Sequence, residues 1–138
     1  MKEFEIIEHT ADVGLKAYGR DISECFENAA KGMFAIITDN SDIDSVGEYM
    51  IELEAESLEQ LLVDWLDELL FLNTAKNLVF GRFEVELDER RNRLRARVFG
   101  EEYNKEKHGY GMEIKAITYH MLKIRRGAIC EVQVLFDI

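Results

Sequence analysis

The sequence predicts an α+β fold: a mostly antiparallel β-sheet sandwich with two main helices packed on it, one compact domain over residues 1–138. Three observations point there. Segments of alternating apolar and polar residues outnumber helical ones. Only two stretches repeat apolar residues at helical period, and each opens on a capping signal. The two kinds of segment follow one another without the regular alternation of a parallel βαβ sheet. The 138 residues contain no proline, nine scattered glycines and no linker or repeat, so nothing marks a second domain.

Phe4–His9 and Leu15–Tyr18 read as short strands, with residues 9–14 as a turn or bend between them. Asp21-Ile22-Ser23-Glu24 has capping-box spacing. Ile22, Cys25, Phe26, Ala29, Ala30, Met33, Phe34 and Ile37 then recur as one broad apolar helix face, ended by Thr38 to Ser41. Met50–Ala55 alternates as a strand. Ser57-Leu58-Glu59-Gln60 is a second capping box, and Leu58, Leu61, Leu62, Trp65, Leu66, Leu69 and Leu70 carry a helix to about Asn73.

Phe83–Asp88 and Arg93–Phe99 read as a hairpin turning at Arg90-Arg91. That register sets Glu84 opposite Arg97, Glu86 opposite Arg95 and Asp88 opposite Arg93, three pairs of opposite charge. Residues 101–111 are polar and read as a loop. Met112–Arg125 and Ala128–Ile138 form a C-terminal hairpin, with a two-residue turn at Arg126-Gly127. Carried back, this register pairs Ala116 with Asp137 and sets Lys115 beside Ile138. It also gives Ile117, Tyr119, Met121, Cys130, Val132, Val134 and Phe136 one apolar face; a bulge would flip the faces but keep the neighbourhood.

Charge narrows the function. The 28 Asp and Glu outnumber the 17 Lys and Arg, a net charge of -11. Such a surface repels phosphate backbones, so strong direct nucleic-acid binding is not expected; cations and basic proteins are. The Arg90–Arg97 run reads as the salt-bridged face of its hairpin rather than an RNA patch. No run approaches the ~20 apolar residues of a membrane span, and the acidic N-terminus lacks a signal peptide's apolar region. The expectation is a cytoplasmic protein of undetermined oligomeric state.

No CxxC or HExxH occurs, and His9, His108, His120, Cys25 and Cys130 are isolated, which argues against zinc. Both cysteines fall on apolar faces and read as buried structural thiols. There is no GxxxxGK[ST], GxGxxG or GxSxG, which disfavours a self-contained NTPase or serine hydrolase. Carboxylates remain. Asp12, in the predicted bend, and Asp137 with the Ile138 carboxylate form an all-oxygen set suited to a hard cation such as Ca²⁺, which takes roughly 6–8 oxygens. Taken singly, Asp12 is a turn-former, Asp137 a solvated acid, and Lys115 a salt-bridge partner of the terminal carboxylate. His9 and His120 read as hydrogen-bonded structural residues, or as outer support for the acidic set.

Three segments carry a resemblance. Glu8-His9-Thr10-Ala11-Asp12-Val13-Gly14-Leu15 is similar to the N-terminal signature of the archease family. Glu113-Ile114-Lys115-Ala116-Ile117-Thr118-Tyr119-His120 resembles its second signature, and Val134-Leu135-Phe136-Asp137-Ile138 its C-terminal one. The resemblance spans essentially the whole chain and implies a small α+β sandwich. It implies a protein cofactor, without catalytic residues of its own, of the tRNA-splicing RNA ligase that joins 3′-phosphate to 5′-hydroxyl ends. Such a cofactor promotes guanylylation of the ligase and multiple turnover, and broadens its nucleotide use. The resemblance further implies a divalent metal, calcium in character, at Asp12, Asp137 and Ile138, and a functional role for Lys115 in ligase activation.

Two other readings compete. One is a metal-dependent hydrolase using Asp12, Asp137 and His120. The other is a general chaperone or adaptor for RNA-processing proteins that binds through the Leu58–Leu70 stripe. Burial of Trp65 counts against the second.

Overall fold

The computed structural model describes residues 1–8, 11–39 and 41–138. The chain forms β1 (Phe4–Glu8), β2 (Asp12–Gly19), α1 (Ile22–Ile37), β3 (Gly47–Glu54), α2 (Leu58–Lys76), β4 (Leu78–Asp88), β5 (Arg93–Glu102), the one-turn α3 (Lys105–His108), β6 (Ala116–Arg125) and β7 (Cys130–Asp137). The strands make two antiparallel sheets, ordered β1-β2-β7-β6 and β3-β5-β4. This is the expected α+β sandwich.

The helices lie between the sheets. α1 packs on β2 and β7 of one sheet and on β4 of the other, while α2 packs on β6 of the first and on β3 and β4 of the second. The sequence of α1 explains this position. Cys25, Asn28 and Gly32 meet the four-stranded sheet, where the Asn28 amide donates to Tyr18 O at 2.7 Å. Phe34 meets Phe80 and Phe83 of the three-stranded sheet. A helix apolar on nearly every side is one that is buried on nearly every side. Trp65, fully buried on α2, packs edge-on to Phe83 and donates its indole N–H to Phe26 O at 2.9 Å. The Leu58–Leu70 stripe is therefore core, which removes it as an adaptor face.

Both capping signals act as expected. Asp21 accepts from Glu24 N at 2.8 Å, and Ser57 from Gln60 N at 3.1 Å. The return bond of the first box shifts by one residue, because the Glu24 carboxylate accepts from Arg20 N at 3.0 Å and holds the Arg20 guanidinium at 2.9 Å. α2 runs on to Lys76 and stops at Asn77, whose left-handed backbone closes the helix.

The β4-β5 register is the charge-matched one. The arginines of β5 nonetheless divide their bonds between two neighbours. Arg93 and Arg95 pair with Glu54 and Glu52 of β3, at 3.1 and 3.2 Å, and Arg97 reaches both Glu84 and Glu48. β5 is the central strand, so its side chains have acids on both flanks.

Four details differ from the sequence reading. β2 begins at Asp12, so this residue lies in a strand and not in a bend. The stretch read as a loop continues β5 to Glu102 and then forms α3, because Asn104 Oδ1 caps Glu106 N and Lys107 N at 2.9 and 3.2 Å. The C-terminal turn is longer than two residues, with Arg125 opposite Glu131 instead of Ala128. Finally, β6 is bulged: it advances five residues from Thr118 to Lys123 while β7 advances two from Leu135 to Gln133. An odd number of extra residues exchanges the faces. Tyr119 and Met121, expected in the core, are exposed, Met121 taking a positive φ of 58°; Leu122 and Ile124 pack inward in their place. The longer turn and the bulge offset each other, so the Ala116–Asp137 pairing still holds.

Glu27 shows how the fold protects an open sheet edge. β4 is an edge strand, and its Val85 N–H donates to Glu27 Oε2 on α1 at 2.8 Å. Burial pushes the Glu27 carboxyl above its usual range, while the Val85 bond works the other way. Removing the acceptor leaves that N–H without its partner. Glu27→Ala is expected to cost about 1–2 kcal/mol in urea unfolding, and Glu27→Gln, which keeps a carbonyl acceptor, distinctly less.

Candidate functional site

Strand alternation builds the site. Val13, Leu15 and Ala17 of β2, Val132, Val134 and Phe136 of β7, and Ile117 of β6 all face the core. Residues one step away face outward. Asp12, Asp137 and Ala116 are therefore neighbours in one row across three adjacent strands, Asp12 paired with Asp137 and Asp137 with Ala116. The Lys115 backbone N–H donates to Asp137 O at 2.7 Å and fixes the row's end.

Two carboxylates directly opposite each other in a sheet repel, and such pairs are destabilising. Asp12 Oδ1 is in addition buried without a hydrogen-bond partner among the described residues. A buried carboxylate oxygen left unpaired is costly unless a cation or donor meets it. The Lys115 ammonium does not meet it: among the described residues Lys115 makes no ion pair, with either aspartate or with the chain terminus. The salt bridge read as its simplest role is absent, and its side chain is exposed. An exposed Asp137 beside a half-buried Asp12 fits an oxygen-ligated hard cation reached from solvent. The fit is partial, because among the described residues no three His, Cys, Asp or Glu side chains converge. Ile138 packs its side chain on the core beside this row.

Thr118 joins the same outward face one row further in, opposite Leu135. Its Oγ1 is the other buried oxygen without a hydrogen-bond partner among the described residues. The sequence pointed to the segment but not to this hydroxyl. His120 lies in the bulge, four residues past Ala116, and among the described residues it forms no cluster with Asp12 and Asp137. The structure does not bring it to the carboxylates, which weakens the hydrolase reading. His9 lies outside the described residues.

The matching family model is that of the Archease protein family, over residues 4–138. The chain belongs to the archease family. It is 42% identical over 128 residues to the protein archease of Pyrococcus furiosus, covering 91% of this chain and 90% of that one. It is 44% identical over 126 residues to the protein archease of Methanothermobacter thermautotrophicus, covering 90% and 89%. The solution structure of protein 1598 of Methanobacterium thermoautotrophicum superposes with a TM-score of 0.86 at 40% identity, each chain covered in full. Among the described residues of this archease, no helix is long and apolar enough to cross a membrane.

The other polar cluster of this archease is structural. His108 is fully buried, accepting from Asn104 N at Nδ1 and facing Glu101 Oε2 across 2.9 Å from Nε2. Glu101 also holds Lys107, and accepts from Asp44 N at 2.8 Å. Lys107, the Asp44 amide and then His108 together hold the Glu101 carboxyl down to about 2, against an ordinary 4.5. A carboxyl depressed in the fold contributes stability above its unfolded pKa, and loses it as pH falls toward the folded one. Glu101→Gln is expected to be less stable at neutral pH, and to lose less stability than the parent between about pH 4.5 and 2. Tryptophan fluorescence across an acid titration reads the difference. Burial also pushes the Cys25 thiol up to about 12, in keeping with an inert core cysteine.

Proposed function

We propose that this chain is a protein cofactor, with no catalytic residues of its own, of a tRNA-splicing RNA ligase that joins 3′-phosphate to 5′-hydroxyl ends. It promotes guanylylation of the ligase, multiple turnover and broader nucleotide use. Family membership supports a role in RNA processing. The observation that carries the finer reading is the paired Asp12 and Asp137 at one end of the two central strands β2 and β7, with the Lys115 backbone bound to the same strand end and, among the described residues, its ammonium in no ion pair. Asp12, Asp137 and the Ile138 carboxylate would hold a divalent ion, of calcium character given the all-oxygen donors. A bound divalent ion neutralises phosphate charge near it.

The chain's own residues do the rest. Asp12 and Asp137 present a fixed negative tip, at the end of β2 and β7, to a cation-rich, phosphate-binding active site. The rigid sheet keeps the two carboxylates in register. Lys115, one residue from the row, extends an ammonium that reaches phosphate oxygens of the ligase's nucleotide. The net charge of -11 favours approach to a basic RNA-binding protein, more strongly at low salt. The compartment that matches this partner is the cytoplasm.

The test is multiple-turnover RNA ligation by the cognate ligase with GTP and Mn²⁺, ligase well below substrate, with and without this protein. Addition should turn a stoichiometric reaction into a catalytic one. Lys115→Ala should fold normally and lower the maximal rate at saturating cofactor. Unchanged ligation with folded wild-type protein would refute the reading.

A further inference from the structure

A second surface, which ends at the segment just before Lys115, has the features of a docking site. A groove of about 370 Å³ lies where the C-terminal turns of α2 meet residues 103–114, lined by Thr74, Asn77, Tyr103, Tyr110, Met112 and Glu113. One wall is fixed: the Tyr103 hydroxyl donates to Gly109 O, and its ring stacks on buried His108. The other wall is open, since Tyr110 is 69% exposed. Phe71, one turn before Thr74 on the same helix face, is 53% exposed. Exposed aromatics beside a preformed apolar groove are unusual on a surface left to water. Aromatic side chains of this kind dominate binding energy at protein interfaces.

The helix face leading to this groove is acidic. Asp64, Asp67, Glu68 and Phe71 follow at spacings of three, four and seven, so they share one side of α2. From Leu58 to Ala75 the helix has no basic residue. Among the described residues, Asp64, Asp67 and Glu68 make no ion pair, whereas the acids flanking the β5 arginines are bridged. Although Asp67 is exposed, desolvation of its carboxyl and then the Asp64 charge raise its pKa, as expected for like charges without a cation between them.

We propose that this groove and the acidic face of α2 form a docking site for a basic segment of the partner protein, which seats a cationic side chain among Tyr103, Tyr110 and Glu113. An arginine or lysine fits on three grounds. Its aliphatic stem covers the apolar floor. Its charged head lies over tyrosine rings, a favourable cation–π arrangement. Flanking basic residues of the segment meet Asp64, Asp67 and Glu68. RNA is excluded as the occupant by the same charges. That the partner is the ligase rests on the preceding reading; the chemistry of the segment does not.

Two arms test the proposal. In the first, the ¹⁵N-labelled protein is titrated with a peptide of alternating leucine and arginine, and with its leucine–glutamate counterpart. Amide shifts from the arginine peptide should centre on Asp67, Phe71 and Tyr110, and Phe71→Ala with Tyr110→Ala should weaken binding about tenfold or more. Both side chains are exposed, so the double variant should keep the remaining wild-type spectrum. Shifts centred on another face, equal affinity in the double variant, binding of the glutamate peptide at the groove, or self-association through it would each overturn the proposal. In the second arm, the double variant should raise the cofactor concentration for half-maximal ligation about tenfold while reaching the same maximum. An unmoved half-maximum would remove the ligase as occupant. Failure of the wild-type protein to activate the ligase would instead sink the proposed function, with the peptide map still deciding the groove.

Discussion

If Asp12 and Asp137 hold the proposed cation, Asp12→Ala is expected to give a folded protein that loses most of its response to calcium and no longer supports catalytic ligation. The reasoning separates two effects of opposite sign. Without metal, Asp12 contributes repulsion toward Asp137 and a buried oxygen with no partner among the described residues. Removing a like-charge cross-strand pair should return on the order of 0.2–1 kcal/mol. The metal-free variant should therefore melt at the same temperature as the parent, or a few degrees above it. With metal the order reverses. A cation at a hundred times its dissociation constant stabilises the native state by about 2.7 kcal/mol. For a domain of this size that is a rise on the order of 10 °C. Calcium affinity depends on the number of ligand charges, so losing one of two side-chain carboxylates should remove most of that rise. Calorimetry with EGTA and with excess calcium measures both. A variant whose melting temperature rises with calcium as much as the parent's would show that Asp12 holds no cation. A metal-free variant that melts well below the parent would show that Asp12 is a structural residue.

This prediction depends on a juxtaposition that was partly legible in the sequence. The hairpin register counted back from Arg126-Gly127 does pair Ala116 with Asp137, although both the turn and the middle of β6 differ from the count. Two local irregularities of equal size left the end of the hairpin where the alternation pattern put it. The Asp12–Asp137 contact was not legible as a strand pair. The run Val13-Gly14-Leu15 has a glycine at its centre, which reads as a turn, whereas in the fold Gly14 sits flat between Ile7 and Leu135. Positions decided by local chemistry were easier. Asp21 and Ser57 cap their helices, and the acids of β4 pick out one register against the arginines of β5. The placement of the helices between the sheets was harder, because periodicity shows that α1 is apolar on a broad face but not that two sheets share it. His108 was harder still: an isolated histidine in a polar stretch shows nothing of the Glu101 that meets it seven residues away.

Gly100→Ala should be a highly damaging small substitution, although no motif contains the residue. Gly100 lies in the central strand β5, opposite Phe80 of β4 and Gly47 of β3. A Cβ there would stand 1.9 Å from Val79 O and 2.8 Å from Phe80 Cα. Both are backbone atoms, so no rotamer change relieves the clash. The crowding has a local cause: the register of β4 slips between Phe80 and Arg82, and the kinked strand is brought over its neighbour at this point. Relief would require moving Phe80, which is fully buried and packs edge-on to both Phe34 and Tyr49. Overpacking a core usually costs about 1–3 kcal/mol, and a clash fixed in backbone belongs at or above the top of that range. Against a total stability on the order of 5–15 kcal/mol, that is a large fraction for one methyl group. Gly14→Ala supplies the contrast. Its Cβ would meet Ile7 and Leu135 at 3.5–3.7 Å, ordinary contact distances. It should leave stability within about 0.5 kcal/mol of the parent, despite lying in the N-terminal signature beside Asp12. Urea unfolding of the two variants side by side measures the difference. Equal midpoints would mean that β4 can move away from β5 at the bulge, and that the three-stranded sheet is softer than its packing implies.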